Sequence, residues 1–404
     1  MNGERPLCWW GRDLTQTRAV KAIDAVPIRL LWLAYAQPAS RSNPDFGQAL
    51  LLRGKQALLR SVTMALCLAL ALALAVPAAA EEPLNLRVVS GFMGRPQFDA
   101  VEQPFWLREV PALTGGRATV TLQTGSSLGI TAEQMLTVIR NGVVSFGTLE
   151  VGSLTLSVPE FGVADLPLLA EDEAGQHRTA ELWRPWLAAH LRERYGIELL
   201  AMFVRPPQLM FCNHPFASLL DLAGRRIRVA SVNQSDLILA LGAVPVVLEL
   251  DRTVDGFRRA ELDCAVVGAL PASMVGLTRV TGHVSTVPIG WPMAFLTAHG
   301  DRWATLPEAV RAPLRDGIRR LEDRMRRAAK TLRDEGEACL SGRPGCPAES
   351  SRMQRVGESA ASRAAIRALF TSAVLPGWVH RCGAACAESW NEVAAPVLGI
   401  SAEK

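Results

Sequence analysis

From residue 84 onward, apolar and polar positions switch repeatedly between a two-residue and a 3.6-residue period. "LNLRVVSG" predicts a strand, and residues 98–113 predict a helix that runs into the Thr114-Gly115-Gly116 break. "ATVTLQTGSSLG" alternates and predicts a second strand. "TAEQMLTVIRNG" opens with Thr131 as N-cap and Gln134 three residues on, the signature of a capping box, and closes on Asn-Gly. "VVSFGTLEVG" follows as a short buried strand. A β-α-β-α-β order of this kind builds a mostly parallel sheet with helices on its faces.

The pattern then repeats. "EAGQHRTAELWRPWLAAHLRERYG" predicts a helix ending at Gly196, "IELLAMFV" a strand, and Pro206-Pro207 a crossing between domains. "PQLMFCNHPF", "LLDLAGRRIRVAS", "SDLILALGAVPVVLEL" and "TVDGFRRAELDCAVVG" form a second alternating unit. Residues 307–336 predict one long, charged helix with a solvated face carrying i,i+4 pairs. Two further helices around cysteine loops close the chain.

Upstream of this body lies a different composition. Arg53, Lys55 and Arg60 precede an uncharged apolar run from Met64 to Val76, and Ala78-Ala79-Ala80 follows. A positive region, a short apolar region and an A-x-A site predict a signal peptide over 51–80, cleaved after Ala80. Residues 1–50 are then an upstream extension without structural role. The first 80 residues hold nine of the 43 Lys/Arg and four of the 39 Asp/Glu, leaving 34 basic against 35 acidic residues in 81–404. That neutral body removes the electrostatic argument for a nucleic-acid partner.

Six cysteines follow residue 80, at 212, 264, 339, 346, 382 and 386. An even count in an exported chain favours disulfides. Cys339 and Cys346 enclose the loop "LSGRPG", and Cys382 and Cys386 flank "GAA"; cross-pairing between the two sets stays open. A zinc site is disfavoured, because His380 is the lone histidine nearby and tetrahedral sites want four ligands. Enzyme motifs are sparse. There is no G-x-S-x-G, no H-E-x-x-H and no P-loop lysine, and the six histidines form no i,i+4 pair. No cofactor is implied. An exported two-domain α/β chain without a catalytic constellation points to a receptor that closes on a small molecule.

The segment "LAGRRIRVAS" carries the candidate chemistry. In a strand Arg226 and Arg228 share one face while Ile227 and Val229 turn to the core. Arg228 has two readings: a structural ion pair with Glu150 or Glu249, or a guanidinium held ready for an anion. The run "LLDLAGRRIRVASVNQSDLILALGAVPVVLEL" resembles the solute-binding proteins of tripartite ATP-independent periplasmic (TRAP) transporters. Asp221, Leu222, Gly224, Ile227, Arg228, Val229, Gly242, Ala243 and Pro245 carry the match, and "TGSSLG" and "WATLPEAVRAPLRDG" extend it across 84–335.

The resemblance implies an α/β, two-lobed periplasmic-binding-protein-like fold, with mixed sheets flanked by helices and a long helix bracing the lobes. Lobe I is expected over 81–205 plus about 295–336, and lobe II over 206–294 plus about 337–404. It implies a small organic-acid ligand gripped through its carboxylate by Arg228, and membrane permease subunits as partners, with no catalysis. Arg225 and Arg226 lack the match and read as surface charges.

Departures from the family pattern are concentrated in the pocket. The family's V-D-G-x-x-N turn reads Leu262-Asp263-Cys264-Ala265-Val266-Val267, so Val267 stands where an asparagine would face the ligand. A second pocket position, basic in acid-binding members of the family, is Gln208 here; Glu150 aligns with a pocket carboxylate or amide, and Asn233 is a candidate amide contact. Trp291, in "PIGWPMAF", is placed to line the cleft, or equally to fill the core. Such a pocket suits a more apolar acid. The eroded turn also motivates an alternative: a diverged sensor or scaffold that binds a protein partner. A thiol enzyme using Cys212 or Cys264 is the third reading.

Overall fold

The computed structural model describes residues 58–59, 61–66, 82–90, 97–346, 348 and 351–403. Chain contacts separate Met1–Ala80 from Glu81–Lys404. The first unit contributes two short exposed helical stretches at 58–59 and 61–66; the extension and most of the apolar run fall outside the described residues. All that follows concerns the second unit.

Its strands are β1 (Leu84–Val89), β2 (Ala118–Gln123), β3 (Phe146–Glu150), β4 (Ile197–Val204), β5 (Gln208–Cys212), β6 (Arg226–Val229), β7 (Val244–Val247), β8 (Cys264–Gly268), β9 (His283–Ser285), β10 (Met293–His299) and β11 (Gln354–Val356). They form two sheets. One runs β2-β1-β3-β10-β4, with β1 parallel to β2 and β3, and β10 inserted antiparallel between β3 and β4. The other runs β11-β9-β5-β8-β6-β7, with β6 parallel to β7 and β8 and β5 antiparallel to β8 and β9. The chain crosses between sheets at Pro206-Pro207, where two consecutive prolines supply no backbone donor for continuing the ladder.

Local chemistry sets the helices. α1 (Ala132–Arg140) carries the predicted capping box: Thr131 N donates to Gln134 Oε1 at 3.0 Å and Gln134 N to Thr131 Oγ1 at 3.4 Å. α2 (Glu173–Tyr195) ends where Gly196 takes φ 65°, a left-handed cap that glycine adopts without a Cβ penalty. α3 (Val232–Ala240), α4 (Leu250–Arg258) and α5 (Ala269–Met274) each follow a strand of the second sheet. Over 98–113 the expected helix forms with two π-type turns, Phe98–Glu102 and Phe105–Glu109.

α6 (Glu308–Ser341) ends five residues beyond the end the pattern suggested, because Cys339 and Leu340 continue its apolar face and Gly342 ends it at φ 66°. Leu314, Ile318, Leu321 and Met325 of α6 pack with Phe105 and Trp106 of the 98–113 helix and with Phe146 and Phe203 of the first sheet. Leu340, at its other end, joins the core beneath α4 and α5 with Phe211 and Val267. Gly336 allows the closest approach: a Cβ there would sit 2.8 Å from Ala269 Cβ and Leu270 N. One helix thus braces both sheets.

The other face of the second sheet, carrying Cys212, Ile227, Val229, Cys264 and Val266, is continuous with a core that includes Trp183 of α2 and the C-terminal helices. Those are α7 (Ala360–Leu369), α8 (Leu375–Cys382) and α9 (Ala384–Val393). Trp390 stacks obliquely on Trp183 at 5.9 Å, and Trp378 Nε1 donates to Pro159 O at 2.8 Å. Beyond β11 the chain therefore packs against elements following strands of both sheets. The six cysteines pair as Cys212–Cys264, Cys339–Cys346 and Cys382–Cys386. The first bridge joins directly opposed residues of β5 and β8.

Candidate functional site

Strands β6, β7 and β8 run the same way and end at Val229, Val247 and Gly268; in the first sheet β1, β2, β3 and β4 end at Val89, Gln123, Glu150 and Val204. The carboxyl ends of such strands are where open α/β sheets gather ligand chemistry. The two rims meet. Gly152, two residues past β3, is so close to Ser231, two past β6, that an added Cβ would lie 3.6 Å from the Ser231 Cβ.

Arg228 sits on the lower rim of this contact, in β6, with its side chain on the sheet face opposite Ile227 and Val229. Its Nε donates to Leu248 O at 2.7 Å and its Nη1 to Val266 O at 2.9 Å. Both acceptors are backbone carbonyls of the flanking chain, Leu248 just past the end of β7 and Val266 in the middle of β8, so the guanidinium is held between these two segments. The residue is 4% exposed. Among the described residues it has no carboxylate within ion-pair distance; Glu150 is committed to Arg205, and Glu249 acts on it only as a more distant charge. Burial pushes the guanidinium down to about 10, against the smaller opposing pull of Glu249. A buried cation without an anion is costly to keep.

Its two neighbours in "RRIR" behave as surface residues. Arg226 pairs with Asp263 at 2.8 Å, and Arg225 donates to the carbonyls of His214 and Pro215.

The remaining candidates are distributed. Glu150, at the end of β3, forms an ion pair with Arg205, whose Nη1 also reaches Gln97 Oε1 at 3.4 Å. Gln208 Oε1 accepts from Gln234 Nε2 at 2.5 Å, and Gln234 Oε1 accepts in turn from Ala230 N at 2.8 Å. Asn233 is fully buried where the rims meet, with Nδ2 donating to Gly162 O at 3.3 Å and Oδ1 accepting from Arg381 at 2.7 Å. Val267 packs with Leu209, Phe211 and Phe257 in the core of the second sheet. Trp291 Nε1 donates to Ala170 O at 3.3 Å; its ring lines a cavity of about 250 Å³ beside Pro206, Pro207 and Leu209, against Leu332 and Arg333 of α6. Arg228 is not among the residues lining that cavity. Cys212 and Cys264, considered as nucleophiles, are bonded to each other.

The bacterial extracellular solute-binding protein family 7 model, DctP, matches residues 93–345. The chain belongs to this family. The family is one of extracellular solute-binding proteins, and the solved structures similar to this chain include TRAP periplasmic solute receptors. The structure is similar to DctP7 of Bordetella pertussis, an extracytoplasmic solute receptor binding pyroglutamic acid, at 22% identity and TM-score 0.64, over 75% of this chain and 96% of that one. It is also similar to a TRAP periplasmic solute-binding protein of Desulfovibrio salexigens with bound orotic acid (17%, TM-score 0.65, 79% and 100% covered). A third, from Rhodoferax ferrireducens with bound malonate, matches at 18% and TM-score 0.63, over 78% and 99%. No curated protein sequence matches the chain. The two-sheet architecture braced by α6 is thus the DctP fold, and the match ends near the Cys339–Cys346 loop.

Three residues with evident roles in this DctP chain escaped the sequence reading. Arg205 is the terminal residue of a strand-like run, and only its pairing with Glu150 reveals it. Gln234 was legible: Ser231-x-x-Gln234 is a capping pattern, and Ser231 Oγ does accept from Gln234 N at 3.3 Å. Asp165 had no local signal, since its burial arises from residues distant in sequence.

Proposed function

We propose that this DctP protein is a periplasmic receptor that binds a small organic acid through an Arg228–carboxylate contact and delivers it to TRAP permease subunits. The observation carrying this reading is the buried Arg228 guanidinium, oriented by two carbonyls yet lacking a carboxylate partner among the described residues. A carboxylate arriving at the rim would give it the charge-assisted, bidentate partner that the chain does not. Glu150, Gln208 and Trp291 surround the strand ends and the crossing, with Gln234 holding Gln208 and Arg205 holding Glu150. Asn233 contributes by joining the rims, and Val267 by packing the sheet beneath. The pyroglutamate, orotate and malonate receptors support the ligand class. Export through a signal peptide cleaved after Ala80 completes the reading, with hinge motion between lobes of 81–205 plus 295–336 and 206–294 plus 337–404.

Calorimetry with pyroglutamate, orotate, malonate and an aromatic monocarboxylate on the exported chain tests this. Binding of at least one acid, lost in Arg228→Ala, is expected. Binding indifferent to that substitution, or no binding to any acid together with no small molecule released from natively purified protein, would overturn it.

A further inference from the structure

Asp165 ends the short helix Pro159–Asp165, which follows β3; the residue is half-buried, with its Oδ1 out of contact with solvent where the two rims meet. Its Oδ1 has no hydrogen-bond partner among the described residues. The neighbours are close. A Cβ on Gly152 would lie 3.9 Å from Asp165 Oδ2, and one on Gly162 would collide with the Asn233 amide nitrogen. The glycines therefore let backbone that follows β3 meet α3, at the start of which Asn233 stands.

The groups that face this carboxyl leave it without a counter-charge. Asn233 and the Met293 N–H provide weak neutral assistance. Arg381, from α8, is shared between Asn233 Oδ1 and Asp236, with which it pairs at 2.6 Å. Glu160, on the same short helix, is paired with His190 at 3.2 Å and accepts from Tyr195 at 2.9 Å. Gln176, from α2, spends its amide on Ala164 O. An ionised carboxylate in such a place has its burial cost offset only in part, by two neutral donors, whereas the neutral acid bears a smaller one.

We propose that Asp165 is a proton-linked latch: it takes up a proton when the rims come together and releases it when they part, so that closing around a solute is favoured by acid. This rests on the reading of the chain as a hinged receptor. With the rims in contact, burial holds the acid up at about 7, against an ordinary 3.8 when solvated. The sign follows from that direction. The latch contributes fully to closure below the solvated value, weakens as pH rises between the two, and is spent above about 7. Near the middle of that window, about one proton is bound per closing event. The closing constant then falls close to tenfold per pH unit.

The test is small-angle scattering of the ligand-free exported chain at pH 5 and pH 8, for wild type, Asp165→Asn and Asp165→Ala, with circular dichroism to verify folding. Wild type is expected to be more open at pH 8. Asp165→Asn, an isostere of the neutral acid, is expected to keep the pH 5 dimensions at both values. A wild type of pH-independent dimensions, or an Asp165→Asn protein that retains the pH response, overturns the latch. If Asp165→Asn does not fold, Asp165→Ala reads the same loss of pH response. Because no solute is present, failure of the acid-receptor reading leaves this result intact. With pyroglutamate as probe, calorimetry in two buffers of different ionisation enthalpy additionally expects about one proton taken up per binding event near pH 6.

Discussion

Glu150 neutralises Arg205 across the rim of the first sheet, one from the end of β3 and the other from the residue after β4. This pairing leaves Arg228 as the buried arginine of the rims without an anion. Removing the partner should expose the dependence: Glu150→Gln strands a side chain only 10% exposed. Breaking a largely buried pair costs about 3 kcal/mol. Urea unfolding of the variant should show that loss, and Arg205→Met in the same background should recover most of it.

Arg228→Met separates two roles in a single variant. The native guanidinium is buried at a cost and makes two bonds to carbonyls. An apolar replacement should leave Tm within a few degrees of the parent or raise it. Affinity for a bound acid should fall roughly 10- to 100-fold, since charge-assisted bonds contribute about 1.5–3 kcal/mol. A large fall in Tm without any change in affinity would mark Arg228 as structural.

Trp390 is buried between Trp183, Phe370 and Trp378. Trp390→Ala should cost about 3–5 kcal/mol. Amide exchange should quicken first in α8 and α9, and next around Pro159, which bonds to Trp378.

Acid should act on Glu160. Burial pushes this carboxyl up, but bonds from His190, its own backbone and Tyr195, together with the His190 charge, outweigh it and hold the group below 4.5. The stabilisation is complete above that value and is lost as pH falls through the depressed one. Thermal melts from pH 6 to pH 3 should fall less steeply for Glu160→Gln than for wild type.

Much of the architecture was legible because it is written locally. The Thr131 box, the Gly196 cap and the Pro206-Pro207 crossing each depend on residues within one turn, and each lies where the pattern placed it. Arg228 was legible through its segment. Its company was not, because that company comes from distant chain: Arg205 takes up Glu150, Gln234 takes up Gln208, and Arg381 takes up Asn233. The end of α6 is not legible locally, for a related reason. Leu340 looks like loop sequence until the core under α4 and α5 is there to receive it.

Of the 15 pairings open to six cysteines, that of Cys212 with Cys264, 52 residues apart, is the one available when only the first two of them have entered an oxidising compartment. The four that follow then pair within short loops, spanning seven and four residues. A preparation made where thiols stay reduced forgoes that order. Recombinant production should therefore be directed to an oxidising compartment, where chain order itself narrows the choice of partners.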